Sequence, residues 1–225
     1  MVDYRKLRFS NLNSPEFRHL WLLLFWGVFG ICFVSLERLI PRTDYHVMWC
    51  PLDDRIPFCE WFLIPYLFWF VFLVGMHAYL LLFDTAAFRR FMYYIMITYT
   101  VTALVYIFYP TCQNLRPTEF ARDNGLVRFM QAFYQFDTNT NVCPSLHVVG
   151  SMAVAFGAWD TKRFQTTGWR IAFMGTALLI SVATVFVKQH SVLDVIWAFV
   201  LCGAAYVPVY AAPGLRQGRS MRKCA

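Results

Sequence analysis

Long runs of apolar residues constrain the fold of this chain more than any other feature. The hydrocarbon of a bilayer is about 30 Å thick, so a helix needs about 20 mostly apolar residues to cross it. Six such windows occur, and we predict a membrane span in each, near 19–36, 61–83, 91–109, 146–159, 170–187 and 191–212. The fourth is the shortest, and we expect it to extend into the polar loop before it. With 59% hydrophobic residues, the sequence predicts an all-α, polytopic membrane protein, a six-helix transmembrane bundle forming a single domain over 1–225.

Basic residues indicate the orientation of this bundle, because Lys and Arg near span ends resist translocation. They lie before the first window, between the second and third, between the fourth and fifth, and after the sixth. These residues are Arg5, Lys6, Arg8, Arg18, Arg89, Arg90, Lys162, Arg163, Arg216, Arg219, Arg222 and Lys223. Alternating spans place all of these on one side, so we expect both termini in the cytoplasm. Loops 37–60 and 110–145 then face the extracytoplasmic side. Because this anchoring accounts for the net charge of +7, we expect membrane lipids as partners, with no nucleic acid and no protein partner.

Four of the seven cysteines fall in the two outer loops: Cys50, Cys59, Cys112 and Cys143. They could form two disulfides in an oxidising compartment, with three pairings open. Free thiols are the alternative. No CxxC or Cys/His spacing is typical of a zinc site, so we expect neither a metal nor another cofactor.

A polar patch, Pro144-Ser145-Leu146-His147, precedes the fourth apolar window. Ionisable groups at a membrane boundary are functional candidates by default. Proline favours the first turn of a helix, so we predict that this patch opens the fourth helix and directs its free N–H groups at an anion. Ser145 would add a hydroxyl and His147 a proton. A simple N-cap role for Ser145 and an interfacial role for His147 are the alternatives.

A second patch, with Lys188, His190 and Asp194, lies at the start of the sixth window. Ser191 followed three residues later by Asp194 is a capping-box pattern and predicts a helix start. Asp194 would accept a hydrogen bond from one imidazole nitrogen of His190 and leave the other as a nucleophile or base. Lys188 would supply a positive charge for a phosphoryl oxygen, or else act as a snorkelling anchor.

Three residues of the long outer loop are further candidates. Arg116, which precedes Pro117, has the geometry for bidentate binding of phosphate, or is merely a loop cation. Asp137 and Asn141 lie just before the first patch. They suggest recognition of a headgroup, although the segment Asp-Thr-Asn-Thr-Asn is also typical of a turn.

Together these motifs resemble the type 2 phosphatidic acid phosphatase superfamily, over roughly residues 60–212. The shared elements are Arg116-Pro117, Pro144-Ser145-Leu146-His147 and the His-x-x-x-Asp element from His190 to Asp194. The resemblance implies a lipid phosphatase that hydrolyses a lipid-linked phosphate or diphosphate through a phosphohistidine. It further implies that no metal is needed, that the catalytic part lies at about 110–212, and that the site faces the extracytoplasmic side.

The resemblance also implies a role for each residue. His190 would attack phosphorus, with Asp194 orienting it. His147 would protonate the leaving lipid oxygen and then activate the water or alcohol that resolves the intermediate. Arg116, Lys188 and Ser145 would stabilise the charge that develops on the phosphoryl oxygens.

Two departures from the superfamily pattern leave the acceptor open. Tyr109 stands where a Lys is usual, and Ala183 and Thr184 replace a Ser-Arg pair. This reduced form is similar to the branch that contains fungal inositol phosphorylceramide synthases, so a headgroup phosphotransferase is the alternative function. A third hypothesis, a silent protein that binds or scrambles phosphorylated lipid, gives no reason for a nucleophile with its orienting carboxylate.

Overall fold

A computed structural model describes residues 2–40 and 42–212 and is mostly helical. The basic residues Arg216, Arg219, Arg222 and Lys223, expected in the cytoplasm, lie outside the described residues. The α-helices are α1 (Leu24–Val34), α2 (Pro51–Arg55), α3 (Leu63–Phe83), α4 (Thr85–Phe108), α5 (Gly125–Phe136), α6 (Leu146–Asp160), α7 (Thr167–Phe186) and α8 (Val192–Tyr206).

Tighter and wider helical turns extend or join these helices. The 3₁₀ turns are Tyr4–Lys6, Phe9–Asn11, Arg18–Leu23, Glu60–Phe62 and Lys162–Phe164. The π-helical turns are Ser35–Leu39, which follows α1, and Val207–Ala211, which follows α8. Two short strands, β1 (His46–Val47) and β2 (Thr111–Cys112), pair in parallel with His46 opposite Thr111.

Five continuous helical segments of the described chain are long and apolar enough to cross a membrane. They are Arg18–Leu39, Glu60–Phe83, Thr85–Phe108, Thr167–Phe186 and Val192–Ala211. Each overlaps one predicted window. The remaining window corresponds to α6, which has 15 residues and falls short of the length that a lipid-facing span needs.

The short helix α6 forms the centre of the bundle, where it packs against α3, α4, α7 and α8. Every residue from Val148 to Ala158 is buried. Small residues along this stretch let the neighbouring helices approach closely. A Cβ added to Gly150, for example, would lie 2.8 Å from Trp69 Nε1 and from Tyr99 Oη. Protein therefore surrounds α6, whereas the five longer segments leave half or more of their most apolar stretch unburied.

The third predicted span begins earlier than expected, at Thr85 instead of 91. The Asp84 carboxylate caps this end of α4 by accepting a hydrogen bond from Ala87 N at 3.1 Å. Arg90, which we expected in a loop, therefore lies on the helix. Its Nε donates to Asp160 at 2.5 Å and ties the start of α4 to the end of α6.

The two predicted outer loops meet at the opposite end of α6. The β1–β2 pair joins them, and Asn141 N donates to Thr111 O at 2.5 Å. The cysteines of these loops are free, as are the others in the described part of the chain. The loop junction brings the starts of α6 and α8 together with residues that are distant in sequence.

Candidate active site

The two sequence patches form one site where α6 and α8 begin. The ring centroids of His147 and His190 are 5.9 Å apart, with the rings nearly edge to face. Ser145 N donates to Asp194 O at 3.3 Å, which joins the start of one helix to the first turn of the other. The packing of α6 against α8 thus places both histidines in one site.

His190 and Asp194 form a hydrogen-bonded pair at the start of α8. The predicted capping box is present: Asp194 Oδ2 accepts from Ser191 N at 2.8 Å, and the Ser191 hydroxyl accepts from Leu193 N at 3.2 Å. The same carboxylate oxygen lies 3.3 Å from His190 Nδ1. With the imidazole hydrogen on Nδ1, the Nε2 lone pair of His190 is free to react.

His147 is held between aromatic rings. Its imidazole stacks on Tyr66 with centroids 4.3 Å apart, and Trp69 lies at 4.5 Å. Its Nε2 is buried and has no hydrogen-bond partner in the described residues. Buried polar atoms are rarely left unpaired, so this nitrogen indicates a place for a ligand or a transferred proton.

Ser145 precedes α6 as its N-cap residue, yet its hydroxyl makes no capping hydrogen bond. The Oγ atom is buried and unpartnered within the described chain. The simple N-cap role that the sequence left open is therefore absent. The hydroxyl is free to bind another group.

Cys143 lies beside this site without being a plausible nucleophile. Burial raises the pKa of its thiol, and the nearby Asp194 carboxylate raises that pKa further. A thiol is reactive as the thiolate, which this environment disfavours. The candidate nucleophile is therefore His190.

A cavity of about 300 Å³ opens beside the two histidines. Aromatic side chains from α1, α3, α4 and α5 form one wall. Polar side chains from the loop before α6 and from the π-helical turn after α1 form the other end. The lining residues are Trp26, Phe29, Phe33, Glu37, Trp69, Phe70, Tyr99, Tyr106, Phe133, Phe136, Asp137, Thr138, Thr140, Asn141, Val142, Leu146, His147, Gln189 and His190.

Asp137 and Asn141, predicted for headgroup recognition, both line this cavity. Asp137 Oδ2 accepts from the Tyr66 hydroxyl at 3.2 Å and from Gln189 Nε2 at 2.9 Å. Burial raises the pKa of the Asp137 carboxyl, and the nearby His190 and Arg116 partly oppose this rise. Asn141 has a φ of 51°, a left-handed conformation that Asn tolerates better than most residues.

Glu37 is a cavity residue that the sequence motifs did not identify. It lies on the π-helical turn after α1 and accepts hydrogen bonds from three side chains of the loop before α6. The donors are the Thr138 hydroxyl, the Thr140 hydroxyl at 3.1 Å and Asn141 Nδ2 at 2.6 Å. An acid at the end of an apolar window was the signal that could have identified it.

Arg116 is close to the site, but its guanidinium is not among the groups that line the cavity. It donates to the carbonyl oxygens of Tyr134, Asp137 and Thr138, and at 2.6 Å to Gln189 Oε1. Burial lowers the pKa of this guanidinium. The side chain therefore holds the loop that carries Asp137, while phosphate binding by Arg116 stays a prediction.

Lys188 also lies beside the cavity without lining it. Its Nζ donates to Asp53 O at 2.8 Å, and its backbone adopts a left-handed φ of 53°. Burial lowers the pKa of the Lys188 ammonium, which Asp53 and Asp54 partly offset. A phosphate contact by Lys188 stays a prediction as well.

Asp53 is the second residue that the sequence did not identify. This fully buried carboxylate accepts from the Ser191 hydroxyl at 2.6 Å and from Val192 N at 2.8 Å. It also accepts from Cys50 N at 2.8 Å. An acid from the first outer loop thus fixes the start of α8, and nothing in the local sequence around Asp53 indicates this contact.

Comparison with protein families identifies the superfamily of this chain. The model of the PAP2 superfamily matches residues 90–217, more than half of the chain. This chain belongs to the PAP2 superfamily. The matched range contains Arg116, His147, His190 and Asp194. Members of the superfamily are phosphatases and phosphotransferases, which indicates an enzyme of phosphoryl transfer. Comparison with curated proteins and with solved structures gave no match, and the similarity to the fungal synthase branch is not confirmed.

Proposed function

We propose that this PAP2 protein is a membrane lipid phosphatase that forms a phosphohistidine on His190. The observation that carries the proposal is the His190–Asp194 pair, which lies beside His147 at a cavity with an aromatic wall. A nucleophile whose far nitrogen is bound by a carboxylate, with a second histidine beside it, is the arrangement that nucleophilic catalysis requires. The aromatic wall suits the apolar part of a lipid.

The first step forms a bond between His190 Nε2 and phosphorus as the bond from phosphorus to the lipid oxygen breaks. His147, protonated at Nε2, gives its proton to the leaving oxygen. Asp194 stabilises the positive charge that develops on the His190 ring. In the second step His147 takes a proton from water, the water oxygen attacks phosphorus, and the bond to His190 breaks.

Charge on the phosphoryl oxygens needs stabilisation in both steps. We propose that the free N–H groups at the start of α6 and the unpartnered Ser145 hydroxyl provide part of it. Arg116 and Lys188 stabilise the loops on either side of this phosphate site. Arg116 donates to Thr138 O, and Lys188 donates to Asp53 O. Arg116 Nε is buried and has no partner in the described residues, so it is the N–H of this guanidinium that remains for phosphate.

We also propose that α6 completes six membrane crossings in a single domain, with both termini cytoplasmic and the site extracytoplasmic. The two ends of α6 support this assignment. His147 lies at its first turn, whereas Asp160 and its partner Arg90 lie at its last. The basic residues Lys162 and Arg163 follow at that same end, as expected for the cytoplasmic side.

A headgroup phosphotransferase of the inositol phosphorylceramide synthase type is the second candidate, and one observation favours it. Among the described residues, the cavity lining contains two acids, Glu37 and Asp137, and no Lys or Arg. A phosphodiester carries less negative charge than a phosphate monoester, so such a lining suits it better. In that reaction a lipid alcohol takes the place of water.

The test is phosphate release by the purified protein in detergent, from phosphatidic acid and an isoprenyl diphosphate, with EDTA present. We expect release by the wild type and none by His190→Ala. His46→Ala is the matched control, because His46 stacks on Tyr109 in the outer loop and does not line the cavity. Release that persists in His190→Ala would contradict the proposal. Transfer to an added lipid alcohol without phosphate release would establish the second candidate.

A further inference from the structure

The polar end of the cavity has an acidic character that phosphate transfer alone does not explain. Glu37 and Asp137 line it, and none of the described lining residues is Lys or Arg. The neighbouring cations mostly bind protein groups: Arg38 donates to Phe136 O, Arg116 to three backbone carbonyls and a side-chain amide, and Lys188 to Asp53 O. Arg116 Nε takes no part in these contacts and does not line the cavity, and it is buried without a partner in the described residues.

The hydrogen-bond donors at this end are largely used by the protein itself. The Thr138 and Thr140 hydroxyls donate to Glu37, and so does one amide N–H of Asn141. One amide N–H of Gln189 donates to Asp137 Oδ2. At this end these contacts leave one N–H each on the Asn141 and Gln189 amides. The unpartnered donors Trp69 Nε1 and Tyr99 Oη also line the cavity, but they belong to its aromatic wall on α3 and α4.

Acceptors, in contrast, remain open. Asn141 is only 5% exposed, and its Oδ1 has no hydrogen-bond partner in the described residues. No hydrogen bond from the described chain reaches Asp137 Oδ1, whereas Oδ2 receives two. Asn141 Oδ1 is a buried acceptor without a donor, which is costly and indicates that a ligand supplies the donor. The ligand that complements this end therefore donates several hydrogen bonds and carries positive charge.

We propose that the polar end binds the primary ammonium of a phosphodiester headgroup, so that the substrate is a phospholipid of the phosphoethanolamine class. The ammonium has three N–H donors, which match the open oxygens of Asp137 and Asn141 and the Glu37 carboxylate. A polyol would bring as many acceptors as donors, and a quaternary ammonium would bring charge without N–H groups. A phosphate monoester would place further negative charge beside two carboxylates.

This proposal rests on the His190 chemistry of the proposed function and favours its phosphodiester form, since His190 must attack the phosphorus of the same lipid. The bond between His190 Nε2 and phosphorus forms, the bond from phosphorus to the diacylglycerol oxygen breaks, and His147 protonates that oxygen. Water or a lipid alcohol then attacks phosphorus and gives its proton to His147 as the bond to His190 breaks. The product is phosphoethanolamine or its ester with the acceptor lipid.

The first measurement is diacylglycerol release by the purified protein from mixed micelles. Phosphatidylethanolamine, phosphatidylcholine, phosphatidylinositol and phosphatidic acid are supplied at equal mole fraction. We expect kcat/KM for phosphatidylethanolamine to exceed the others by about tenfold or more, as one well-placed charged contact provides. Equal or higher values for any other lipid would overturn the headgroup assignment and leave the His190 chemistry intact.

Charge-removing variants test the assignment at the residues themselves. Glu37→Gln and Asp137→Asn keep the side-chain shape, and we expect each to raise KM for phosphatidylethanolamine by about tenfold while kcat changes less. Asp123→Asn is the matched control, because Asp123 is an exposed acid of the same outer loop. An unchanged preference for phosphatidylethanolamine in both cavity variants would overturn the proposal.

A binding measurement separates failure of this proposal from failure of the proposed function. His190→Ala protein in detergent is heated with glycerophosphoethanolamine or with glycerophosphoinositol, and its Tm is recorded. We expect a higher Tm only with the ammonium headgroup, because a ligand of the folded state raises stability. No shift with glycerophosphoethanolamine would overturn the headgroup assignment even if no lipid is turned over. A shift without turnover in the wild type would contradict the His190 mechanism alone.

Discussion

Asp53 caps the start of α8 from a position 138 residues before Ser191 in the chain, with its Oδ2 2.6 Å from the Ser191 hydroxyl. A carboxylate at a helix N-terminus interacts favourably with the free N–H groups and the helix dipole. The helix turn that it fixes contains Asp194, the hydrogen-bond partner of His190. The loop that contains α2 therefore positions the proposed catalytic pair, which lies in a distant part of the chain.

Asp53→Asn is expected to lower kcat by about 10- to 100-fold with little change in KM, because an outer partner orients the reacting group without touching substrate. The amide keeps one acceptor but turns N–H groups toward donors. Asp54→Asn is the matched control, since Asp54 accepts only from exposed Trp49 among the hydrogen bonds described. Steady-state kinetics of both variants provide the comparison. Equal losses in the two variants would contradict a specific role for Asp53.

Asp194→Asn is expected to lower kcat by about 10²- to 10³-fold, since the neutral amide oxygen can still accept from His190 Nδ1 but no longer stabilises the positive charge that develops on the ring. The Asn oxygen can still accept from Ser191 N, so the capping contact is kept and Tm should change little. The measurement is phosphate release together with thermal unfolding in the same detergent. A large fall in Tm that parallels the loss of activity would indicate a structural role instead.

His147→Ala is expected to separate the two chemical steps. With a lipid phosphate, the loss of the proton donor should slow the first step by about 10²- to 10⁴-fold. With a nitrophenyl ester the leaving group needs no proton, so the first turnover should persist as a burst while the second step stays slow. Rapid-mixing absorbance of nitrophenolate distinguishes these outcomes, with His46→Ala as control. A variant that shows the same loss for both substrates would argue against proton transfer by His147.

The sequence was sufficient to predict the patches and the capping box, because short spacings along one helix dictate them. The Ser191–Asp194 box and the start of α8 are present as predicted. The five long spans followed from apolar length alone. The central position of α6 did not follow from apolar length, because this short helix of small residues is stabilised by packing against neighbouring helices.

The residues that the sequence missed share one property: their partners are distant in the chain. Glu37 meets Asn141 and Asp53 meets Ser191 only because the two outer loops pack together. No local pattern encodes such contacts. The same limit applies to Arg116 and Lys188, whose charge suggested phosphate while their surroundings supply backbone carbonyls.

Gly150→Ala is expected to destabilise the protein by about 1–3 kcal/mol, because the added Cβ would lie 2.8 Å from both Trp69 Nε1 and Tyr99 Oη. Both of these side chains line the cavity, so their displacement should also lower activity. Gly75→Ala on α3 is the matched control, since its Cβ would meet nothing within 4 Å. Thermal unfolding in detergent and phosphate release give the two readouts. Similar Tm values for the two variants would show that α6 accepts a methyl group at this crossing.

The pH dependence of stability should report the environment of Asp137, whose pKa is raised by burial. An acid with a higher pKa in the folded state contributes stability below its unfolded pKa of about 4, and this contribution is lost as pH rises through the raised value. The amide in Asp137→Asn does not ionise, so the variant does not lose this stability as pH rises. We therefore expect Tm of the variant relative to the wild type to increase between pH 4 and pH 7. Parallel curves for wild type and Asp137→Asn would mean that Asp137 is solvated in the folded protein.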